Sequence, residues 1–388
     1  MGVTQMDFDL TNEQKMLREE LSRFARGELN NDVIGRDGSS AFPADEWRKC
    51  AEFGIQGLPV PEEYGGQGAD PLTIMLAMEA LGYGCTDNGL IFSLNAHMWA
   101  CEMPIVHFGT EEQKQKYLPG LCDGSLVAAH GMSEPGSGSD AFSLSTTVAK
   151  NGSGWILNGS KTFVTNAPVA DVFIVFATSD PKKGWAGLSA FLIDRDTPGL
   201  SVGRPMAKMG LKTSPIGELF FDDCKLPPDS LVGAPGAGMS VFNSSMEWER
   251  SCILASTVGA TQRQLERCIE YARERRQFGQ AIGSFQAVSH KIVDMQLRVE
   301  TARCLLYRLG WLMSQDKATA LDSALVKLYL SESFVSTSMD AVQIHGGYGY
   351  MAEYELEREL RDAVGSRIYS GTSEIQRNVA AAHMGLGR

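Results

Sequence analysis

The spacing of hydrophobic residues changes twice along this chain. In the first third, apolar positions recur every three or four residues, as Leu17, Leu21 and Phe24 do, and this period predicts amphipathic helices. Thr11 is followed three residues later by Gln14, which is the spacing of a capping box at the start of a helix. The chain up to residue 125 is therefore predicted to be helical.

A different pattern begins near residue 126. Short runs rich in β-branched and aromatic residues alternate with turn residues, which predicts an antiparallel sandwich or barrel. The runs lie at 154–159, 161–165, 172–177, 188–193 and 217–221. The helical period returns near residue 238 and holds to the end, apart from a loop at 345–350. These changes predict an α+β chain with an N-terminal helical domain (1–125), a middle antiparallel β domain (126–235) and a C-terminal domain of the four-helix-bundle type (236–388).

Composition and charge narrow the possible functions. A hydrophobic fraction of 43% and a charged fraction of 21% are ordinary for a soluble globular protein. No apolar run approaches the ~18 residues that a membrane helix needs, and the acidic N-terminus lacks the basic region of a signal peptide. The eight cysteines show no CxxC spacing, so we expect reduced core thiols and a cytoplasmic protein.

The acidic charge lies mostly in the first third of the chain. Residues 1–125 hold 20 acidic and 9 basic side chains, which accounts for −11 of the total charge of −12. A nucleic-acid-binding protein shows the opposite bias, so this class is excluded. No cluster of residues predicts a metal site.

Two glycine- and hydroxyl-rich stretches carry the strongest chemical signal. The first runs from His130 to Asp140 and forms a turn that brings backbone N–H groups close to a flat or phosphorylated ligand. The second runs from Arg367 to Arg377 and contains a Gly-Thr-Ser turn of the kind that begins a helix, where free N–H groups favour a pyrophosphate.

A carboxylate lies on an apolar helix face in the C-terminal third. A helix predicted over residues 239–272 carries a stripe that includes Phe242, Met246 and Ile253, and Glu249 falls on it. Because desolvation disfavours the charged form, the pKa of Glu249 should rise toward a value suited to proton abstraction. Glu247 lies off the stripe, and solvent or a capping box with Ser244 explains it. The alternative is that Glu249 only pairs with a buried arginine.

Together these features resemble the acyl-CoA dehydrogenase family, whose members follow the same order of helical, β and helical domains. Several further motifs extend the resemblance over nearly the whole chain. They are Pro61–Gly66, Leu157–Lys161 with Thr165 and Asn166, Ala272–Gly279, and Gln343–Gly347.

The resemblance implies FAD as the cofactor and gives roles to matching residues. Arg275 and Phe278 match residues that a neighbouring subunit supplies to the cofactor, which implies a homotetramer. Further matches to flavin contacts are Met132, Ser133, Ser139, Phe163, Thr165, Gln343, Gly347, Thr372 and Glu374. His130 and Phe163 depart from the usual residues against the flavin, and packing explains either equally well. Glu374 stands where an amide is common. The alternative for the whole set is a collection of structural loops and turns.

The catalytic base is displaced relative to most of the family. Most members carry the base, a glutamate, where this chain has Ser370. There the carboxylate removes the α proton of a thioester while the β hydride passes to the flavin. Ser370 keeps the backbone N–H that holds the thioester oxygen in relatives. A minority branch, which includes isovaleryl-type enzymes, uses a Glu-Arg pair that matches Glu249 and Arg250, so we expect Glu249 to be the base and Arg250 to contact substrate.

Three segments resemble the prolyl-carrier-protein dehydrogenase branch of the family: 83–90, 166–171 and 242–252. We therefore expect a small, prolyl-like thioester on a carrier protein, with Trp99 and Tyr369 among the substrate contacts and a possible electron-transfer flavoprotein partner. Three alternatives stay open. They are oxidation of a short or branched acyl-CoA, a catalytically silent assembly or binding subunit, and a flavin oxidase or monooxygenase.

Overall fold

A computed structural model describes residues 9–386. The start of the chain, on which the argument against a signal peptide depends, lies mostly outside this range. The first part is helical, as predicted. Its helices are α1 (Asn12–Glu28), α2 (Val33–Ser39), α3 (Ala44–Phe53), α4 (Pro71–Gly84), α5 (Asn88–His97), α6 (Met103–Phe108) and α7 (Glu111–Cys122). The capping box is confirmed, because Thr11 accepts from the backbone of Gln14 and the Gln14 side chain accepts from Thr11 N–H.

A wide π-helical turn, Met98–Glu102, joins α5 to α6. Its side chains are buried, Trp99 completely. The Trp99 indole donates to Asn95 Oδ1 at 2.5 Å, and Met103 N–H bonds to Met98 O across the widened turn. Turns of this kind interrupt helices most often near functional sites.

The middle part is a β domain, as predicted, and its eight strands are joined in one hydrogen-bonded sheet. Its strands are β1 (Ala128–Gly131), β2 (Thr147–Asn151), β3 (Gly154–Thr165), β4 (Val172–Thr178), β5 (Leu188–Asp194), β6 (Leu200–Val202), β7 (Ile216–Leu226) and β8 (Leu231–Val232). The order is β6-β7-β3-β2-β4-β5-β8, with β1 paired to β4. The pairing is antiparallel as predicted, except that β1 and β2 run parallel to β4.

Two runs predicted as separate strands are one strand, β3. Its register against β7 shifts between Lys161 and Val164. Phe163 lies in this irregularity with φ of 54°, which is a left-handed conformation that few non-glycine residues adopt. The bulge bends the strand and leaves the Phe163 ring 63% exposed.

The last part is helical again. Its elements are α8 (Gly238–Cys252), α9 (Ala255–Glu274), the short hairpin β9 (Arg276–Gln277) and β10 (Gln280–Ala281), α10 (Gln286–Met313), α11 (Ala320–His345), α12 (Leu356–Gly365) and α13 (Ser373–His383). The loop predicted at 345–350 is a 3-10 turn, Gly346–Tyr350.

The single helix predicted over 239–272 is wrong, because the chain leaves the helical ladder at Ile253 and Leu254. After this break α9 lies against α4, where a Cβ on Gly82 would collide with Ser256 O and one on Gly259 with Glu79 O. The two backbones approach this closely only because both positions are glycine. The apolar stripe that carries Glu249 therefore ends with α8.

Burial is continuous across the three parts. Every residue of β4 is buried, and the main hydrophobic cluster joins α1, α4 and α5 to the sheet and to α9. The eight cysteines are free and seven are buried, but Cys304 is exposed and is not a core thiol as expected. Within residues 9–386, no helix is both long and apolar enough to cross a membrane.

Candidate active site

Glu249 and Ser370 meet at the centre of the C-terminal part. Glu249 lies on the buried face of α8 with 8% exposure, and Ser370 Oγ donates a hydrogen bond to Glu249 Oε1 at 2.9 Å. Burial raises the pKa of Glu249 to about 7, opposed by the Ser370 hydroxyl and by the nearby charges of Arg250 and Lys327. A carboxyl with this pKa exchanges protons readily near neutrality.

The sequence prediction for Ser370 included only its backbone N–H, so the hydroxyl contact is an addition. The backbone group is nevertheless placed for a ligand. Ser370 has φ of 54°, and its N–H has no hydrogen-bond acceptor among the residues that the structure describes. A strained backbone with a free donor is common at functional sites.

Two buried side chains hold the turn that carries Ser370. Lys327 Nζ, on α11, donates to Ser366 O at 2.9 Å and to Gly371 O at 2.7 Å. Gln376 Nε2, on α13, donates to Ser370 O at 3.1 Å and to Gly371 O at 3.0 Å. The turn is therefore fixed from both sides through its carbonyl groups.

Two aromatic pairs involve the residues next to Glu249 and Ser370 in the chain. Trp99 stacks on Trp248, the residue before Glu249, with ring centroids 6.1 Å apart. Tyr369, the residue before Ser370, packs against Phe92 at 4.5 Å. These four rings come from α5, the π-helical turn, α8 and the 366–371 turn, so the nominated Trp99 packs on the chain neighbour of Glu249, and Tyr369 is the chain neighbour of Ser370.

Arg250 is half-buried and has no ion-pair partner within residues 9–386. Its Nε atom is buried without a hydrogen bond, and burial lowers the pKa of its guanidinium. Because its neighbour Glu249 bonds to Ser370 instead, the alternative that Glu249 serves as the ion-pair partner of an adjacent arginine has no support from the hydrogen bonds here.

The 130–140 stretch is fixed by a buried ion pair. Lys161 Nζ, on β3, lies 2.8 Å from Glu134 Oε1 and donates to Met132 O at 3.0 Å. Glu134 also accepts from Ser145 and Thr146, and Lys161 with these bonds holds the pKa of Glu134 down, at about 2. Glu134 is thus a structural anion.

Several residues nominated as flavin contacts lie near the Lys161–Glu134 ion pair. Met132 is buried and Ser133 half-buried, and Ser133 O accepts from Thr162 N–H at 2.9 Å, which ties the stretch to β3. Thr165 is half-buried at the end of β3, whereas Ser139 is exposed. Met132 and Ser133 therefore lie beside the part of β3 that leads to Phe163, with Thr165 farther along the same strand.

His130, in β1, has a polar atom without a partner among residues 9–386, one that a bound ligand could contact. Its Nε2 is buried without a hydrogen-bond partner, and its ring packs 5.1 Å from Phe176 and 6.2 Å from Phe242. Burial and the charge of Lys161 lower the pKa of His130 to about 4. A neutral imidazole with an unpaired nitrogen calls for a polar partner.

The remaining nominated residues lie at two other places. Thr372 is the N-cap of α13 and accepts from Ile375 N–H at 3.2 Å, which confirms that the Gly-Thr-Ser turn begins a helix. Glu374 is exposed in the first turn of α13, where backbone hydrogen bonds lower its pKa.

Arg275 and Phe278 lie at the exposed β9–β10 hairpin. Phe278 is 93% exposed at the tip, with φ of 52°, and Arg275 lies over the ring of Tyr348, 5.6 Å from its centroid. Gln343 and Gly347 are exposed near this tyrosine. No hydrogen bond, ion pair or ring contact within residues 9–386 joins the hairpin to the nominated residues near β1 and β3. A single chain therefore does not assemble all the nominated residues.

Sequence reasoning missed the residues that hold the site. Lys161 and Lys327 are completely buried, and each fixes a loop through carbonyl oxygens. A signal for Lys327 exists, because it is a lone charge within the apolar run 324–330. Glu247 is exposed, and Ser244 lies within α8 and contacts His107, so the suggested capping box between them is wrong. No group of acidic, histidine or cysteine side chains among residues 9–386 could hold a metal ion.

Comparison with protein families agrees with this arrangement of helical, sheet and helical parts. Three domain models match in order: the acyl-CoA dehydrogenase N-terminal domain over residues 11–125, the middle domain over 129–224 and the C-terminal domain over 236–385. The chain belongs to the acyl-CoA dehydrogenase family.

Family members with high similarity include two bacterial enzymes. An L-prolyl-[peptidyl-carrier protein] dehydrogenase of Pseudomonas fluorescens is 44% identical, covering 98% of this chain and 100% of that protein. One of the same name from a Serratia species is 43% identical, covering 98% and 99%. Among solved structures, the prolyl acyl carrier protein oxidase AnaB matches with a TM-score of 0.96 and 50% identity, covering 97% of this chain and 100% of AnaB. PigA with FAD and proline matches with 0.96 and 43%, covering 98% and 100%.

Proposed function

We propose that this protein is an FAD-dependent dehydrogenase that oxidises the acyl group of a small thioester, with Glu249 as the catalytic base. The observation that carries the proposal is the buried Glu249 carboxyl, whose pKa is raised to about 7 and which faces the Ser370 turn. The family resemblance implies a catalytic glutamate at the position of Ser370 in most members. In this chain the carboxyl of Glu249 reaches Ser370 from α8, so a base is still available there.

The proton transfer needs two groups from this chain. The Glu249 carboxylate accepts the α proton, and the free Ser370 N–H donates to the thioester oxygen as negative charge develops there. We assign a substrate contact to Arg250, which is next to the base in the chain and whose Nε is buried without a hydrogen bond within residues 9–386. Bound FAD would supply the acceptor for the β hydride.

The chain's own features fit a flavin beside β1 and β3. Within residues 9–386, His130 Nε2 is buried without a hydrogen bond, the Phe163 ring is 63% exposed, and a Cβ on Gly136 or Gly138 would meet nothing within 4 Å. Met132, Ser133, Ser139 and Thr165 would hold the ring side, and Thr372 and Glu374 the helix-start side. The relative PigA has been solved with FAD, which supports this assignment.

For the substrate we propose a prolyl-like group tethered to a carrier protein. Two relatives named as prolyl-carrier-protein dehydrogenases cover nearly the whole chain at 43–44% identity. The packed pairs Trp99–Trp248 and Phe92–Tyr369 suit a small acyl group, because large rings leave little room for a long chain. The runner-up is a short acyl-CoA, since a short-chain-specific acyl-CoA dehydrogenase of Clostridium acetobutylicum is 37% identical.

An anaerobic substrate panel tests the proposal. Purified protein carrying FAD is mixed with prolyl-carrier protein and with a series of acyl-CoA esters, and the flavin absorption band is followed. We expect rapid bleaching by the carrier-bound prolyl group. Bleaching by acyl-CoA esters alone would overturn the carrier assignment, and a fully loaded protein that no thioester bleaches would support the silent-subunit alternative.

The electron acceptor separates a second candidate function from the first. The relative AnaB is named an oxidase, which favours oxygen, whereas the family resemblance favours an electron-transfer flavoprotein. Measuring hydrogen peroxide per substrate oxidised in air distinguishes them. One peroxide per flavin turnover would identify an oxidase, and its absence would leave a protein acceptor.

We also propose a homotetramer in which a neighbouring subunit completes the flavin site. The exposed hairpin residue Phe278 and the apolar residues Val293 (64% exposed), Leu297 (63% exposed) and Met339 (53% exposed) support a subunit contact on the C-terminal helices. Arg275→Ala should weaken FAD retention without unfolding the sheet. Size-exclusion chromatography with light scattering, combined with flavin content, tests this; a monomer that retains FAD tightly would contradict it.

A further inference from the structure

Lys327 occupies an unusual place on α11. Its side chain is 0% exposed, next to the buried Val326 and one turn from Leu330. Its ammonium group gives two hydrogen bonds to the carbonyls of Ser366 and Gly371. It also lies over the ring of Tyr369, 5.8 Å from the centroid. Among residues 9–386 no carboxylate forms an ion pair with it.

A buried ammonium without a paired anion lowers the stability of the fold, so we expect Lys327 to have a role that offsets this cost. Burial lowers the pKa of Lys327 to about 8, opposed mainly by the charge of Glu249. Arg250, Glu332 and Glu374 are the other charged groups that act on it. The interaction with Glu249 is reciprocal, because Lys327 in turn favours the charged form of that carboxyl.

We propose that Lys327 is a positioning residue for the proton acceptor: it fixes the 366–371 turn so that Ser370 meets Glu249, and its charge favours the carboxylate form of Glu249. This inference rests on the proposed role of Glu249 as the base. It gives α11 an indirect role in proton abstraction, because Lys327 acts through the turn and through its charge and not by contact with the substrate.

Geometry carries this proposal. Without Lys327, Ser366 O loses its side-chain donor and Gly371 O keeps only the one from Gln376. Ser370 would then hold its strained backbone less firmly, and its hydroxyl would meet Glu249 in a smaller share of molecules.

The charge has a separate effect with a definite sign. The groups that face Glu249 are Ser370, Arg250 and Lys327, with Cys101 and Tyr369 also in its field. Removing the Lys327 charge leaves Arg250 as the main nearby cation, so the pKa of Glu249 should rise. Since only the carboxylate abstracts a proton, the pH profile should move to higher pH.

The test compares Lys327→Gln, which keeps a donor without charge, with Lys327→Met, which keeps neither. The midpoint of the pH profile of anaerobic flavin reduction should rise by roughly one pH unit in both. Only Lys327→Met should also lower the limiting rate at high pH, by about tenfold, because the turn is released. Infrared difference spectra of the substrate-free protein, referenced to Glu249→Gln, should show the same rise in the Glu249 titration.

Two control variants separate positioning from general destabilisation. Lys208 is half-buried and donates to two carbonyls, those of Leu211 and Ser214, and Lys208→Gln should leave the midpoint unchanged. Gln376→Ala removes donors from the Ser370 turn without removing charge, so it should lower the limiting rate alone. The inference would be overturned if folded Lys327 variants kept the wild-type midpoint in both the flavin-reduction profile and the infrared titration. If no thioester reduced the flavin of the wild-type protein, the proposed function would be overturned instead.

Discussion

Glu134 and Glu249 are both buried carboxyls, yet the structure gives them opposite properties. Glu134 pairs with Lys161 at 2.8 Å and accepts further bonds from Ser145 and Thr146, so its pKa falls to about 2. Glu249 accepts one hydrogen bond, from Ser370, and burial raises its pKa to about 7. The first is a fixed anion that holds a loop, and the second can exchange a proton.

Burial alone does not set the pKa of a carboxyl. Donors compensate the lost hydration of Glu134, whereas the cations near Glu249 do not contact it directly. Lys327, which could have paired with Glu249, gives its hydrogen bonds to carbonyl oxygens instead. The supply of donors therefore separates a structural carboxylate from a candidate base.

The comparison predicts the largest effect at Glu249. Glu249→Gln keeps the shape but removes the proton acceptor, so substrate should bind while flavin reduction slows by ~10²–10⁴-fold. Stopped-flow absorbance under anaerobic conditions measures the rate, and substrate titration measures binding. Reduction at the wild-type rate would show that the base is another carboxylate.

Glu134 should matter for stability instead. Glu134→Gln leaves the Lys161 ammonium buried without its anion, so the free energy of unfolding should fall by about 3–5 kcal/mol. Urea unfolding followed by circular dichroism measures the loss. The double variant Glu134→Gln with Lys161→Met serves as the control and should recover part of it. A loss below about 1 kcal/mol would mean that the ion pair contributes little to the stability of the fold.

The two carboxyls should also give opposite dependences of stability on pH. The folded-state pKa of Glu249 is about 7, above the ~4.3 of an unfolded glutamate, so its burial costs stability as pH rises from about 4.3 to 7. Glu249→Gln should therefore be more stable than wild type at pH 8, by on the order of 1–3 kcal/mol, and similar near pH 4.

For Glu134 the sign reverses. Its folded-state pKa of about 2 means that the carboxylate stabilises the protein above about pH 4.3 and that this contribution is lost as pH falls toward 2. Urea unfolding at several pH values measures both trends. Parallel trends for variants at the two positions would break the distinction between them.

The smallest effect is expected at the Ser370 hydroxyl. Ser370→Gly removes the donor to Glu249 and relieves the left-handed backbone strain, while the backbone N–H remains. Reduction should slow by about tenfold near pH 7, because one hydrogen bond to a charged group contributes at least about 1.5 kcal/mol, roughly a factor of ten, and the base is retained. Ser370→Ala is the matched variant that keeps the strain. A loss as large as that of Glu249→Gln would make the hydroxyl a participant in the chemistry.

The sequence predicted the element types well because they depend on near neighbours. The Thr11 capping box, the α7 helix and strands β3, β4, β5 and β7 follow from spacings of two to four residues, whereas β1, β2, β6 and β8 were not predicted. The helix over 239–272 failed because its break at Ile253 depends on the approach of α9 to α4 through Gly82 and Gly259. The roles of Met132, Arg275 and the other nominated site residues stay predictions.

The order of helical and sheet regions, the family, and a carboxylate on an apolar helix face were all readable from the amino-acid sequence. Only the tertiary structure decided that Ser370 and Glu249, 121 residues apart, share a hydrogen bond, and that Lys327 holds the turn between them. Local periods encode which face of an element is buried, but not which distant side chain meets it. That choice, and with it the supply of hydrogen-bond donors that sets the pKa of each buried carboxyl, is made when the elements pack.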